Sequence, residues 1–148
     1  MKLTIYQVDA FTKKLFGGNP AAIVPLDSWI SEERMQQIAA ENSLSETAFF
    51  VPTTEHFADF ELRWFTPEAE INLCGHATLA SAYVIFNFME FAKSEIAFAT
   101  KSGKLTVERR AEVLVMDFPS WKPEKISGYP QGLEQMLGVA EIVGVYRY

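Results

Sequence analysis

Apolar residues at every second position, or short β-branched and aromatic runs, mark the strands that this sequence predicts. The clearest case is Phe60, Leu62 and Trp64, which alternate with charged residues. The same signals predict strands at residues 3–8, 21–26, 47–51, 96–98, 105–107, 113–115 and 142–146. The connections at residues 101–104 and 109–112 are short enough to be hairpins.

Two predicted helices differ in how their apolar residues are distributed. Residues 31–42 carry an apolar face that includes Met35, and Ser31 lies in the N-cap position, which predicts an amphipathic surface helix. Residues 77–90 are apolar around most of the helix circumference. Such a helix must be surrounded by protein. We therefore expect an α+β fold in which a strongly curved mixed sheet, resembling part of a barrel, wraps around one central helix.

A change in composition divides the chain after its first 118 residues. Residues 1–118 are predicted to form one lobe, and residues 119–130, rich in Pro, Gly and Lys, are predicted to be a linker. Residues 131–148 contain a short helical pattern at 131–137 and a final apolar run, which predict the beginning of a second lobe. A chain of 148 residues is long enough for one domain with a substantial core but too short for two ordinary ones.

Charge and cysteine content exclude several classes of function. The net charge of −6 and the pI of about 4.9 provide no basic surface for nucleic acid or for an anionic membrane. No run reaches the roughly 20 apolar residues that a membrane-spanning helix needs. The single cysteine and the absence of a signal-peptide pattern favour a cytoplasmic location. The cysteine and the two histidines lack zinc-site spacing, so no metal is expected.

Two loops carry polar residues that suit small-molecule chemistry. In the turn at residues 16–20, glycines allow close approach of the backbone, and Asn19 can donate to a carboxylate, although a plain tight turn explains the same residues. Glu46 has the apolar neighbours Leu44 and Ala48, so we expect partial burial. Burial disfavours a charged carboxylate, as a general acid/base near neutral pH requires; a solvated surface charge is the alternative.

The segment Cys74-Gly75-His76-Ala77-Thr78 directly precedes the apolar run. Free backbone N–H groups and the positive dipole end at a helix start form an anion site, which would bind a carboxylate and stabilise an adjacent carbanion. The same dipole is expected to keep His76 neutral and to lower the pKa of the Cys74 thiol, which would make Cys74 a proton carrier. An inert buried cysteine and a capping histidine explain the pattern equally well.

The chain resembles the phenazine-biosynthesis PhzF-like isomerase family in three stretches that occur in the family's order. They are VDAFTKKLFGGNPAAIV at 8–24, LSETAF at 44–49 and FTPEAEINLCGHATLASAYV at 65–84. GKLTVERRAEVLVMDFP at 103–119 and GVAEIVGVY at 138–146 fit the segments that follow. The resemblance implies the diaminopimelate epimerase-like fold, in which two similar lobes each enclose a central helix and the active site lies between them.

The resemblance also implies a cofactor-independent isomerase or epimerase that transfers a proton on a small carboxylated metabolite. Glu46 corresponds to the family's general acid/base and His76 to its active-site histidine. Cys74 occupies the position of a catalytic thiol in epimerase and racemase relatives. Either Glu46 or Cys74 is therefore the base, and Glu46 is favoured.

The remaining site residues are assigned to substrate binding. Gly75 corresponds to the glycine at the substrate-facing helix start, and Asn19 lies where related epimerases place an Asn on the substrate. Ala77 and Thr78, in the first helical turn, complete the predicted substrate-binding set.

Members of this family carry a second lobe with an EDPVTGSA-like stretch, which these 148 residues do not contain. We therefore expect an exposed cleft wall, an unpaired strand edge, and pairing either as a homodimer or with a second lobe. The alternative hypothesis is a truncated or degenerate lobe that acts as a binding or interaction protein without catalysis of its own.

Overall fold

The computed structural model describes residues 2–118 and 122–147, and the chain divides into two compact units. The first unit lies within residues 1–118 and the second within residues 119–148. All the predicted site residues belong to the first unit. Among the described residues, no helix has the length and apolar character needed to cross a membrane.

The first unit is built on one mixed sheet of eight strands. The strands are β1 (Tyr6–Ala10), β2 (Asn19–Pro25), β3 (Glu46–Pro52), β4 (Phe60–Phe65), β5 (Glu70–Ile71), β6 (Glu95–Thr100), β7 (Gly103–Arg110) and β8 (Val113–Asp117). They are hydrogen-bonded in the order β1-β2-β3-β4-β6-β7-β8, and the short β5 pairs with β4. The pairs β2–β3 and β4–β6 are parallel, whereas the other pairs are antiparallel.

Helix α2 (Gly75–Phe88) is enclosed by this sheet. Both edge strands, β1 and β8, contact α2, so the sheet must curl around the helix. Nine of the 14 residues of α2 are buried, and Val84 and Ile85 are fully so. The cluster that α2 forms with the sheet includes Ala21, Ile23, Ala48, Phe50, Leu62, Trp64 and Phe98. The predicted α+β fold, a curved sheet around a central apolar helix, is confirmed.

Helix α1 (Glu32–Asn42) packs on the opposite face of the sheet. The Ser31 hydroxyl caps it by accepting a hydrogen bond from the backbone N–H of Arg34 at 3.3 Å. Met35, fully buried, packs in a second apolar cluster with Phe49 of β3. The predicted amphipathic helix and its cap are confirmed.

The second unit contains a two-stranded sheet and a short helix. The strands β9 (Glu124–Ile126) and β10 (Val145–Arg147) pair antiparallel, with Val145 opposite Ile126. Helix α3 (Leu133–Leu137) is followed by its C-cap residue Gly138, whose φ of 67° is in the left-handed region.

One sequence prediction in the first unit needs correction. The first strand begins at Tyr6 and not at Leu3, and Leu3 packs beside the second apolar cluster. The strand predicted at 113–115 is confirmed as β8, in which Val113 and Val115 are exposed and the intervening Leu114 packs on the core. Both faces of β8 are apolar, so alternation alone does not identify the buried face.

In the second unit, part of the predicted linker is ordered as strand. Residues 119–121 lie outside the described residues, but β9 lies within the remainder of the predicted linker. The helix begins at Leu133, two residues later than the pattern predicted, and the last strand runs over Val145–Arg147 instead of 142–146. Pairing between β9 and β10, which local composition does not reveal, determines these boundaries.

Candidate active site

Asn19 and Glu46 lie at the same end of the sheet and on the same face. β2 begins at Asn19 and β3 at Glu46, and these strands run parallel with Ala21 opposite Glu46. Alternate residues of a strand point to the same side, and Ala21 and Ala48 both pack in the cluster around α2. The side chains of Asn19 and Glu46 therefore face the side of the sheet that carries α2.

The start of α2 leaves backbone donors without partners inside the helix. Cys74 is the N-cap residue, with extended backbone and no capping hydrogen bond from its side chain. The backbone N–H of Thr78 donates to the Cys74 carbonyl at 3.3 Å. The amides of Gly75, His76 and Ala77 precede that bond and have no acceptor within the helix. Together with the helix dipole, they form the donor set expected of an anion site.

The side chains in the first turn of α2 differ in whether a ligand could reach them. Thr78 is fully buried, and its hydroxyl donates to the Cys74 carbonyl at 2.6 Å. Ala77 is fully buried as well, so its side chain faces protein. The zero exposure of Ala77 includes its backbone, so the substrate contacts predicted for Ala77 and Thr78 both stay predictions.

Glu46, His76 and Cys74 form a compact cluster, in which His76 contacts both of the other residues. Nε2 of His76 lies 3.1 Å from Oε2 of Glu46, and Nδ1 of His76 lies 3.4 Å from the Cys74 sulfur. The cluster joins the first residue of β3 to the first turn of α2, two elements that the apolar core holds together. The structure thus brings together the three residues predicted as catalytic.

Two atoms of this cluster have unused hydrogen-bonding capacity. Oε2 of Glu46 and Nε2 of His76 are buried, and neither has an aligned hydrogen-bond partner in the part of the chain that the structure describes. Their separation of 3.1 Å is an ion-pair distance, but the alignment is not that of a hydrogen bond. The side chains are 17% and 9% exposed for Glu46 and His76, respectively. Buried polar atoms of this kind are costly, so a ligand group that bonds to them would be favoured.

The structure overturns the expected low pKa of the Cys74 thiol. Burial raises that pKa to about 12, and the nearby Glu46 carboxylate also disfavours the thiolate. The backbone amides of Ala77 and His76 act in the opposite direction, but they are outweighed. The prediction considered the helix dipole and neglected desolvation, which is the larger effect here.

The atoms of the cluster are of the kinds that bind metal ions, but their arrangement does not favour a metal site. One ligand atom from each of Glu46, Cys74 and His76 lies within 4.8 Å of the others. Zinc accepts sulfur, nitrogen and oxygen ligands of this kind. However, the Glu46 carboxylate contacts Nε2 of His76 and the Cys74 sulfur contacts Nδ1, so the two groups do not share one imidazole nitrogen. This arrangement fits a hydrogen-bonded cluster better than a metal site.

Comparison with known proteins identifies the family. The family model described as "Phenazine biosynthesis-like protein" (PhzC-PhzF) matches residues 8–137. The chain belongs to the PhzC-PhzF family. The family and the fold that the sequence resemblance predicted are thereby confirmed.

Relatives in the PhzC-PhzF family include an uncharacterised isomerase of Pseudomonas aeruginosa. It is 52% identical over 141 residues, which cover 95% of this chain and 53% of that protein. The crystal structure of a PhzF family protein from Enterococcus faecalis superposes with a TM-score of 0.88 at 47% identity, covering 99% of this chain and 54% of that one. The chain therefore spans about half the length of these relatives.

A more distant structure shares the fold alone. It is described as a predicted epimerase of Pseudomonas aeruginosa and superposes with a TM-score of 0.63 at 24% identity, covering 76% of this chain and 41% of that one. This PhzC-PhzF chain is thus similar to proteins named as isomerases and has the fold of a protein named as an epimerase.

Sequence reasoning missed two neighbours of the candidate anion site in this PhzC-PhzF chain. A Cβ atom at Gly75 would lie 3.5 Å from the Met116 methyl carbon and 3.6 Å from the Phe118 ring. These residues, at and just after the end of β8, form an apolar wall beside the first amide of α2. No local signal reveals them, because their position depends on how far the sheet curls around α2.

Proposed function

We propose that this chain forms one wall of the active site of a cofactor-independent isomerase or epimerase. The substrate would be a small carboxylic acid that carries a hydrogen on the carbon next to its carboxylate. The observation that supports this most directly is the pair of unpartnered buried atoms, Oε2 of Glu46 and Nε2 of His76, beside the free amides at the start of α2.

The proposed reaction is a proton transfer in which Glu46 is the base. The substrate carboxylate binds at the start of α2, at the amides of Gly75 and His76, where negative charge is stabilised. Glu46 takes the proton from the adjacent carbon, and the electron pair of the broken C–H bond delocalises into the carboxylate. The amides stabilise the charge that develops there. Protonated Glu46 then delivers the proton to a different carbon of the delocalised anion, which completes an isomerisation, or a solvent proton reaches the opposite face of the same carbon, which completes an epimerisation.

Two further residues have supporting roles in this proposal. Asn19, on the same face of the sheet as Glu46, would orient the substrate by donating to its polar groups. His76 would donate from Nε2 to the substrate or to the Glu46 carboxylate. Pairing with a second lobe or a second copy, which would complete the cleft, stays a prediction.

Proton exchange with solvent tests this proposal without a named substrate. The chain is incubated in D₂O with L-amino acids and L-2-hydroxy acids, and proton NMR follows both binding and loss of the signal from the α-hydrogen. We expect exchange in the unsubstituted protein and a loss of about 100-fold or more in Glu46→Gln. Glu41→Gln, at an exposed position of α1, is the matched control and should retain exchange.

Three outcomes separate the possible bases. Full exchange in Glu46→Gln, or an acid that binds to the protein without any exchange, would contradict the proposal. Loss of exchange in Cys74→Ala with retention in Glu46→Gln would instead assign the base to the thiol.

A further inference from the structure

The role of Cys74 depends on which nitrogen of His76 carries a proton. Nδ1 faces the Cys74 sulfur at 3.4 Å with hydrogen-bond geometry, whereas Nε2 faces Oε2 of Glu46 at 3.1 Å. A neutral imidazole has one nitrogen that donates and one that accepts. The group that contacts Nδ1 therefore determines what Nε2 can do.

The surroundings of Cys74 favour the protonated thiol. The residue is 6% exposed, and the Glu46 carboxylate lies in the same cluster. Burial and that carboxylate together raise the pKa of the thiol to about 12. At neutral pH the sulfur therefore carries a hydrogen, which it can donate to Nδ1 across this contact.

We infer that Cys74 is a positioning residue, which donates its S–H to Nδ1 of His76 and so holds the imidazole proton on Nε2. Nε2–H then lies beside Glu46 at the start of α2, where Nε2 has no aligned hydrogen-bond partner among the described residues. In this arrangement Cys74 does not touch substrate. It acts through His76, which it keeps as a hydrogen-bond donor beside the base.

This inference rests on the proposed function for its catalytic meaning, but its structural content is independent of activity. The chain has two histidines, and the other, His56, is exposed and remote in sequence from the cluster. Long-range ¹H–¹⁵N correlation spectra distinguish the two neutral tautomers and the imidazolium form of each ring. His56→Gln assigns the signals by removing one set.

The spectra of three proteins test the structural part of the inference, the hydrogen bond from Cys74 to His76. In the unsubstituted chain at pH 7, we expect His76 to be the neutral Nε2–H tautomer, with Nδ1 shifted in the direction of a hydrogen-bonded acceptor. Cys74→Ala should move the Nδ1 signal toward that of a free acceptor, because the donor is gone. Cys74→Ser, whose hydroxyl can donate to the same nitrogen, should move it back.

Other outcomes overturn the inference. The first two are a His76 ring that is the Nδ1–H tautomer or the imidazolium in the unsubstituted chain. The third is an Nδ1 signal of His76 that Cys74→Ala does not shift, which would show that the thiol donates to Glu46 instead. Far-UV circular dichroism of the variants separates these results from unfolding, and the tautomer of the unsubstituted chain needs no variant at all.

The proton-exchange assay tests whether the contact between Cys74 and His76 affects catalysis. With an acid that exchanges in the unsubstituted protein, Cys74→Ala should slow exchange by about tenfold, the effect of one lost hydrogen bond, and Cys74→Ser should recover most of it. Equal rates in all three proteins would overturn the positioning role. If no acid exchanges, the proposed function fails, while the tautomer measurement still decides the contact between Cys74 and His76.

Discussion

Arg63 connects three elements of the first unit, and its replacement by methionine would measure how much that connection stabilises the fold. Its guanidinium donates from Nε and Nη2 to the Glu70 carboxylate at 2.7 Å each, and from Nη2 to Glu32 at 2.7 Å. It also lies 5.3 Å from the centre of the Phe65 ring. Methionine has a similar length and retains apolar packing, but it carries no charge and no donor.

The expected loss of stability follows from the burial of the pair. The side chains of Arg63 and Glu70 are 21% and 10% exposed, so the pair is partly buried. Removing one partner costs about 3–5 kcal/mol in a fully buried pair and about 0–1 kcal/mol in an exposed one, so we expect an intermediate cost. Lys101 remains beside Glu70 and limits the loss, and the exposed Glu32 adds little. We expect Arg63→Met to lower the free energy of unfolding by about 2 kcal/mol at pH 7.

The loss should depend on pH in a defined direction. Hydrogen bonds from Arg63, assisted by Lys101, hold the pKa of the Glu70 carboxyl below its usual value. A carboxylate whose pKa is lower in the folded state stabilises the fold fully above its unfolded-state pKa, and this contribution is lost as the pH falls through the folded-state pKa. The difference between the two proteins should therefore be largest near neutrality and shrink below about pH 4.

Urea unfolding followed by circular dichroism at pH 7 and pH 3 measures both effects. Arg110→Met is the matched control, because Arg110 forms an exposed pair with Glu108, and its unfolding midpoint should not change measurably. A loss of less than about 1 kcal/mol in Arg63→Met at pH 7, or an equal loss at the two pH values, would refute this reasoning.

Two further predictions concern the thiol and a turn. The raised pKa of the Cys74 thiol, about 12, predicts that iodoacetamide alkylates Cys74 at pH 8 much more slowly in the native protein than in urea. Mass spectrometry measures both rates, and equal rates would show an accessible thiolate. Gly18→Ala should lower the melting temperature more than Gly103→Ala, because both glycines have positive φ but only a Cβ at Gly18 would clash, at 2.1 Å from the Ala10 carbonyl oxygen. Equal shifts in calorimetry would contradict that steric argument.

The elements that sequence alone predicted well are those with a strong local signal. The apolar circumference of residues 77–90 identified α2, and Ser31 identified the start of α1. The alternation from Phe60 to Trp64 identified β4. In each case the residues that determine the structure lie within a few positions of one another, so the pattern carries the information.

The features that sequence reasoning missed depend on partners far along the chain. β5 has only two residues, too few for periodicity, and its position depends on pairing with β4 and on Arg63. The clustering of Glu46 with His76 was expected from the family resemblance, since nothing in a separation of 30 residues predicts contact. The pKa of Cys74 was predicted in the wrong direction, because the carboxylate and the core that surround the thiol come from other elements.

Because the sheet encloses α2, the candidate active site forms only when the sheet itself is fully folded. A helix with nine buried residues out of 14 has little reason to persist in water once the strands around it separate. Its first turn supplies both His76 and the free amides, so an opened or half-assembled chain would lose donor and anion site in one step. The proposed proton transfer would then be confined to molecules that have finished folding, and core substitutions far from Glu46 would reduce its rate by reducing the number of such molecules.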